Sequence, residues 1–244
     1  EKENGERILF DYGLMLTKPP QYPQLPEKIR YAFLTHAHLD HSGMIPLIYK
    51  RYRTRIFSTL MTAKLTNVLT RDSIKVAKIE NWDMPYDIKD IRKTTKQMRH
   101  IEYNDVVDFG EYSVKNVYAG HIPGSSMFLI EGEHTTLFTG DINTIDTRVM
   151  YGARPVKCEY LFMEGTYADR VHENRKETEK RFLEKVDEII ERGGRVLVPA
   201  FGVSRTQEML LILKEKAQKY EIWLDGMGKR INVLFLRYPE FIRN

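Results

Sequence analysis

Three histidines and an aspartate stand within six residues, at His36, His38, Asp40 and His41. No other stretch limits the possible folds of this chain as strongly. Residues 30–35 before them read as a buried strand, and residues 44–49 after them read as the apolar start of a helix. The polar cluster therefore sits on a strand-to-helix loop, where a sheet can aim several side chains at one point.

The spacing suits a pair of cations. His36 and His38, two apart on an extended segment, face one side and can grip one ion. Asp40 and His41 fall where the chain turns into the helix and can reach a second. Imidazole nitrogen with carboxylate oxygen and no thiolate favours zinc or a similar divalent transition metal over calcium or magnesium; manganese or iron(II) is also compatible. The alternative is a polar loop held by hydrogen bonds alone, and it would leave many buried donors and acceptors to satisfy.

Two more ligand-type residues stand at strand ends. His121 lies in a loop bracketed by Gly120 and Gly124, between a strand ending near Val117 and another starting near Met127. Asp141 follows Gly140 at the end of residues 135–139, where a carboxylate can bridge two cations. Alone, each would be an ordinary turn residue; beside the first motif, both are read as ligands.

The order His-x-His-x-Asp-His, then Gly-His, then Phe-Thr-Gly-Asp resembles the metallo-β-lactamase fold, an αββα sandwich of α/β (α+β) class. Residues 161–167, with Glu164, are similar to the strand-end acidic motif that opens a β-CASP insertion, and residues 198–208 are similar to the segment that follows it. Within that group the Gly-His-Ile-Pro-Gly-Ser loop looks most like archaeal relatives of the cleavage and polyadenylation specificity factor and of RNase J. The resemblance divides the chain into residues 1–165, a metallo-β-lactamase domain, and residues 166–244, part of a β-CASP domain.

The resemblance implies a zinc-dependent ribonuclease. His36, His38 and His121 would hold one zinc, and Asp40, His41 and the bridging Asp141 the other. A hydroxide between the ions would attack the RNA phosphodiester, oriented by Asp40, while Glu164 supports a histidine that protonates the leaving oxygen. Two late histidine motifs of the family have no counterpart, since no histidine follows His172. The sequence is accordingly expected to lack an N-terminal strand and a C-terminal return, and to cleave weakly without them. An Asn4-Gly5 hairpin turn without a partner strand, and a βαβ unit formed by residues 195–198, a helix over 204–220 and residues 221–225, point the same way.

The remaining features are modest. At 244 residues and 42% hydrophobic content the chain can hold one large domain and part of a second. It has no secretory signal or long apolar run, and a single cysteine, Cys158, which favours a reducing cytoplasmic setting. The net charge of +4 does not by itself require nucleic acid. Residues 50–55 and 89–99 are the densest basic stretches, able to track phosphates or to serve as solvated faces. Arg205, beside a Ser204/Gln207 capping box at a helix start, and Ser125, near His121, are candidate substrate contacts. Helices over 59–79 and 174–192 read as scaffold, the second with a core stripe at Phe182, Val186, Ile189 and Ile190.

Three functions compete. The first is a ribonuclease, endonucleolytic or 5′–3′ exonucleolytic, acting on single-stranded RNA in 3′-end processing or decay. The second is a hydrolase of a small ester, thioester or lactam; the third is a non-catalytic RNA-binding subunit. Intact ligand motifs favour an enzyme, and Glu164 with the segment after it favours RNA. No membrane partner is expected, and a homodimer is compatible with these residues.

Overall fold

The computed structural model describes residues 7–243, so the Asn4-Gly5 turn lies outside it. The chain forms two compact units: Glu1–Ile145 with Gly152–Glu164, and Asp146–Tyr151 with Gly165–Asn244.

In the first unit, β1 (Ile8–Phe10), β2 (Tyr31–Phe33), β3 (Arg55–Ser58) and β4 (Arg99–His100) form a parallel sheet in that order. Parallel neighbours need crossovers. Here they carry α1 (Leu39–Ser42) and α2 (Ile45–Tyr52) between β2 and β3, then α3 (Leu60–Glu80) and α4 (Ile88–Gln97) between β3 and β4. The helix expected over 59–79 is α3, capped by the Thr59 hydroxyl accepting from the Thr62 N–H. A second sheet runs β5 (Val106–Asp108), β6 (Ser113–Tyr118), β7 (Ser126–Glu131), β8 (Thr135–Phe138), β9 (Tyr160–Phe162). Its pairings are antiparallel except β8 with β9, which is parallel.

Strand alternation sorts the side chains into layers. Ala32 and Leu34 pack with Ile45, Ile48 and Ile91 of the helices and with Met44, which precedes α2. Between them, Phe33 turns the other way and joins Val114 and Phe128 of the second sheet. Its ring stacks on Phe57 at 4.9 Å and meets Phe128 edge-on at 5.1 Å. Burying such a ring contributes about 1.5–3 kcal/mol, so this seam is what clamps the sheets together.

The α+β sandwich of the sequence reading is the observed architecture, with one difference in its outer layer. Met127, Leu129 and Leu137 on the far face of the second sheet are covered by Ile142, Ala153, Val156 and Cys158, which lie in non-helical chain. Those covering residues show no 3.6-residue apolar period, and Pro155 among them has no N–H for a helix. Cys158 serves there as a partly buried apolar group.

The second unit is built on α5 (Arg175–Glu191), α6 (Arg205–Leu213) and α7 (Gly228–Arg237). Asn174 caps α5 through its side-chain oxygen, and Leu183 and Val186 are its buried residues, so the core stripe lies one position from the expected Phe182. The buried Glu208 carboxylate accepts from the N–H groups of Arg148 and Val149 at 2.8 and 2.9 Å and pairs with Arg175. The expected βαβ unit is not formed: residues 195–198 and 221–225 contain no strand, and Leu197 and Trp223 are 90% and 83% exposed. A strand exists only where a neighbour takes up its backbone hydrogen bonds, and among the described residues these segments have none. The helix expected over 204–220 ends in its α-form at Leu213. Among the described residues no helix is long and apolar enough to cross a membrane.

Candidate metal centre

The loop after β2 carries His36, His38, Asp40 and His41 to the C-terminal end of the parallel sheet. His36 is fully buried, with its Nδ1 at 3.0 Å from the Thr35 hydroxyl and its Nε2 at 3.1 Å from His38 Nδ1. His121 Nε2 comes within 3.2 Å of the same His38 nitrogen. Asp141 closes the group: its Oδ2 lies 3.6 Å from His36 Nε2 and 3.3 Å from His121 Nε2. One ligand atom from each of His36, His38, His121 and Asp141 lies within 4.8 Å of all the others.

The other oxygen of Asp141 faces elsewhere. Its Oδ1 is 3.2 Å from His41 Nε2, which also lies 3.7 Å from Asp40 Oδ2. Asp141 thus stands between two groups of donors, one of imidazoles and one made by His41 and Asp40.

Electrostatics fit a cation in both. Burial, reinforced by the neighbouring His41, His38 and His121, holds the His36 pKa well below the usual histidine range, so the ring is neutral and offers a lone pair. Burial also pushes the His41 pKa down, but hydrogen bonds to Asp11 and Asp141 and their charges outweigh it and raise the value to about 10. Burial raises the Asp141 pKa, and the His41 contact overcomes that and lowers it. Facing imidazole nitrogens and a carboxylate form the donor set of a divalent transition metal, and metal loading exchanges protons for the ion.

Long-range contacts hold this group in place. Asp11, just past β1, accepts from the Thr35 N–H and hydroxyl at 2.7 Å each and faces His41 Nδ1 at 2.7 Å. With Nδ1–H donated to Asp11, the ring is turned so that Nε2 faces Asp141. The His121 loop is pinned to α3, where the Thr59 and Thr62 hydroxyls donate to the Gly124 carbonyl at 2.7 and 2.8 Å. It is tied to the His36 loop by the Ser126 N–H donating to Thr35 O at 2.8 Å. Gly124, at φ +87°, has no room for a side chain, since an added Cβ would lie 2.8 Å from the Met61 Cβ and the Thr62 N.

The other sequence candidates fall out differently. Asp40 sits in the first turn of α1, half exposed. Glu164 accepts from the Ile142 N–H at 2.9 Å and so fixes the turn that carries Asp141. Ser125 is fully buried, and its Oγ accepts from the N–H groups of His121 and Ile122 at 3.1 and 3.3 Å. That corrects the substrate contact expected of it: its lone pairs and surface are used in shaping the loop. Arg205 is exposed at the start of α6 in the second unit. The capping box expected beside it is absent, because Ser204 takes φ +66° and its side chain caps nothing.

Asp11 was missed by sequence reasoning. The signal available was an acid directly after an apolar strand, the pattern that also marks Asp141. Asp11→Asn is expected to weaken divalent-metal binding about 10- to 100-fold, the usual effect of removing a carboxylate behind a ligating histidine. Competitive titration against a chromogenic chelator measures it, and unchanged affinity would remove Asp11 from the site.

Comparison with known proteins agrees with this geometry. Residues 2–158 match the family model described as "Metallo-beta-lactamase superfamily domain". The chain is 37% identical over 251 residues to "Probable RNase MJ4" of Methanocaldococcus jannaschii, covering 99% of this chain and 59% of that protein. It is 36% identical over 248 residues to "RNase aCSPSF2" of Saccharolobus solfataricus, covering 96% of this chain and 49% of that one. The chain thus spans about half the length of these curated relatives. A crystal structure of a protein of unknown function from Enterococcus faecalis V583 shares the fold, with a TM-score of 0.51 and 22% identity over 80% of this chain and 47% of that one. A family match over more than half its length, relatives named as ribonucleases and a His/Asp cluster at the sheet end together place this chain in the metallo-β-lactamase superfamily, as a relative of its β-CASP nucleases.

Proposed function

We propose that the protein is a metal-dependent ribonuclease that hydrolyses phosphodiester bonds of single-stranded RNA. The observation that carries this reading is the position of Asp141, with one oxygen toward His36 and His121 and the other toward His41. His36, His38, His121 and Asp141 would hold one cation, and Asp40, His41 and Asp141 a second, with zinc the ion best matched to the donors. Such a pair of cations supplies Lewis acidity to the phosphate oxygens and lowers the pKa of a water to about 7.

The chain's own residues do the rest. Asp11 keeps the His41 ring in one tautomer and orientation. Asp40, half exposed beside His41, accepts a hydrogen bond from the attacking water and directs it at phosphorus. Glu164 holds the Asp141 turn by its bond to Ile142 N–H. Residues 1–165 act as the metallo-β-lactamase domain and 166–244 as part of a β-CASP domain, with Arg205 a phosphate contact, in a cytoplasmic enzyme of RNA 3′-end processing or decay. The names of the relatives favour RNA over a small ester or thioester.

Elemental analysis after loading and desalting, with cleavage of an end-labelled single-stranded RNA by the full-length protein, tests the reading. About two zinc ions per chain and cleavage abolished by chelator are expected. A protein that retains no metal would overturn the ligand set, and metal retention with an uncut RNA would overturn the assigned substrate.

A further inference from the structure

The basic run at residues 50–55 takes no part in the metal centre, yet the fold gives it a defined place. Residues 50–55 lie against 26–31: the Tyr52 hydroxyl donates to Pro26 O at 2.7 Å, the Thr54 hydroxyl to Ile29 O at 2.8 Å, and Arg55 N–H to Arg30 O at 2.9 Å. One continuous surface results, carrying the exposed side chains of Lys28, Arg30, Arg51, Arg53 and Arg55.

These cations have no carboxylate partner among the described residues. The nearby acids are engaged elsewhere: Glu27 pairs with Arg7 at 2.6 Å and Asp90 with Lys50 at 2.9 Å. The arginines are also laid on aromatic rings. Arg30 and Arg55 lie 5.3 and 5.9 Å from the centre of Tyr31, and Arg53 lies 5.3 Å from that of Tyr49. A guanidinium held over a ring keeps N–H groups for a ligand, a form suited to phosphates and to stacked bases.

Part of the cluster has a local explanation. Arg51 and Arg53 close α2, where a positive charge meets the carbonyl end of the helix dipole. Arg30 and Arg55 have no such role, since they sit at the N-terminal ends of β2 and β3. The metal-ligating loop leaves β2 at the opposite end, and its first ligand, His36, stands six residues along the chain from Arg30, roughly 20 Å away at the rise of an extended strand.

We infer that Lys28, Arg30, Arg51, Arg53 and Arg55 form a second RNA-binding surface, separate from the metal centre, that holds single-stranded RNA by its phosphates while another part of the strand is cut. The inference rests on the ribonuclease reading for its choice of RNA. It adds that long RNAs bind more tightly than short ones by engaging both places.

Binding is measured by fluorescence anisotropy on full-length protein in chelator, so that nothing is cleaved. The probes are labelled oligouridylates of about 30 and about 6 nucleotides, across a salt series. In an Arg30→Ala/Arg51→Ala/Arg55→Ala variant the long probe is expected to bind roughly tenfold or more weakly, and the slope of log affinity against log salt to flatten by about 2, or about 0.7 per lost phosphate contact. Binding of the short probe and zinc content should not change, which shows that the variant is folded.

An Arg53→Gly variant, which suits the left-handed φ of +54° at that position, is expected to show a smaller loss of the same kind. Equal affinity of wild type and variants for the long probe would overturn the inference while leaving chelator-sensitive cleavage, measured separately, to decide the ribonuclease reading. Displacement by polyglutamate but not by polyuridylate would also overturn it, assigning the surface to an acidic protein.

Discussion

Asp141→Asn is expected to abolish stable metal binding and, with it, RNA cleavage. The substitution keeps the size of the side chain and removes its charge. Oδ2 of Asp141 faces His36 and His121 at 3.6 and 3.3 Å, and Oδ1 faces His41 at 3.2 Å, so one change strikes both groups of donors. The loss of affinity should exceed the roughly 10- to 100-fold that follows from a change behind the ligands, such as Asp11→Asn. Metal retained after loading and desalting is the direct readout, and circular dichroism shows whether the fold survives. A variant that keeps the wild-type metal content would remove Asp141 from the bridging position.

Gly13→Ala is expected to damage the same site from behind. An added Cβ would lie 1.6 Å from the carbonyl oxygen of Asp40 and 2.5 Å from the backbone nitrogen of His41. Both are main-chain atoms, so no rotamer change relieves the clash. The two segments are also stitched together, with Tyr12 N–H donating to His41 O at 2.7 Å, Leu14 N–H to Leu39 O at 3.0 Å and Met44 N–H to Tyr12 O at 2.8 Å. Either these bonds break or α1 moves, and each outcome shifts Asp40 and His41 relative to Asp141.

Overpacking costs typically about 1–3 kcal/mol, and a backbone-on-backbone clash belongs at the upper end or beyond. For a chain of this size that is a fall in melting temperature of roughly 6–12 °C, accompanied by loss of bound metal. Gly165→Ala is the control, since its nearest neighbour would be the Ala168 Cβ at 3.8 Å, an ordinary contact. Equal melting temperatures for the two variants would mean that the packing of Gly13 on α1 does not govern the site.

Much of the site was legible in the sequence because its signals are local. His36, His38, Asp40 and His41 are neighbours in the chain, and their spacing on a strand end already implies convergence. His121 and Asp141 stand at strand ends with a glycine before them, a pattern that can be read without knowing where the strands pair. Element types followed wherever a period was clear: α3 and α5 lie within a residue of their expected bounds.

The failures share a cause. The segments at 195–198 and 221–225 have strand-like composition but form no strand, because a strand is a relation between two chains of backbone and composition describes only one. Ser204 and Gln207 match a cap motif, yet the chain enters α6 through a positive φ that turns the serine away.

What the sequence determined by itself was the chemistry: which residue types can ligate a cation, in what local order, and on which strand-ending loops. What only the tertiary structure decided was how each of them is held. Asp11 reaches Thr35 and His41 across 24 and 30 residues, Gly13 packs on the Asp40 carbonyl, and Ser125, a substrate contact by composition, is a buried brace for His121. The physical reason is that donor chemistry belongs to a side chain, whereas orientation, tautomer and burial belong to the contacts around it, and those contacts exist only once the parallel strands have brought distant segments together.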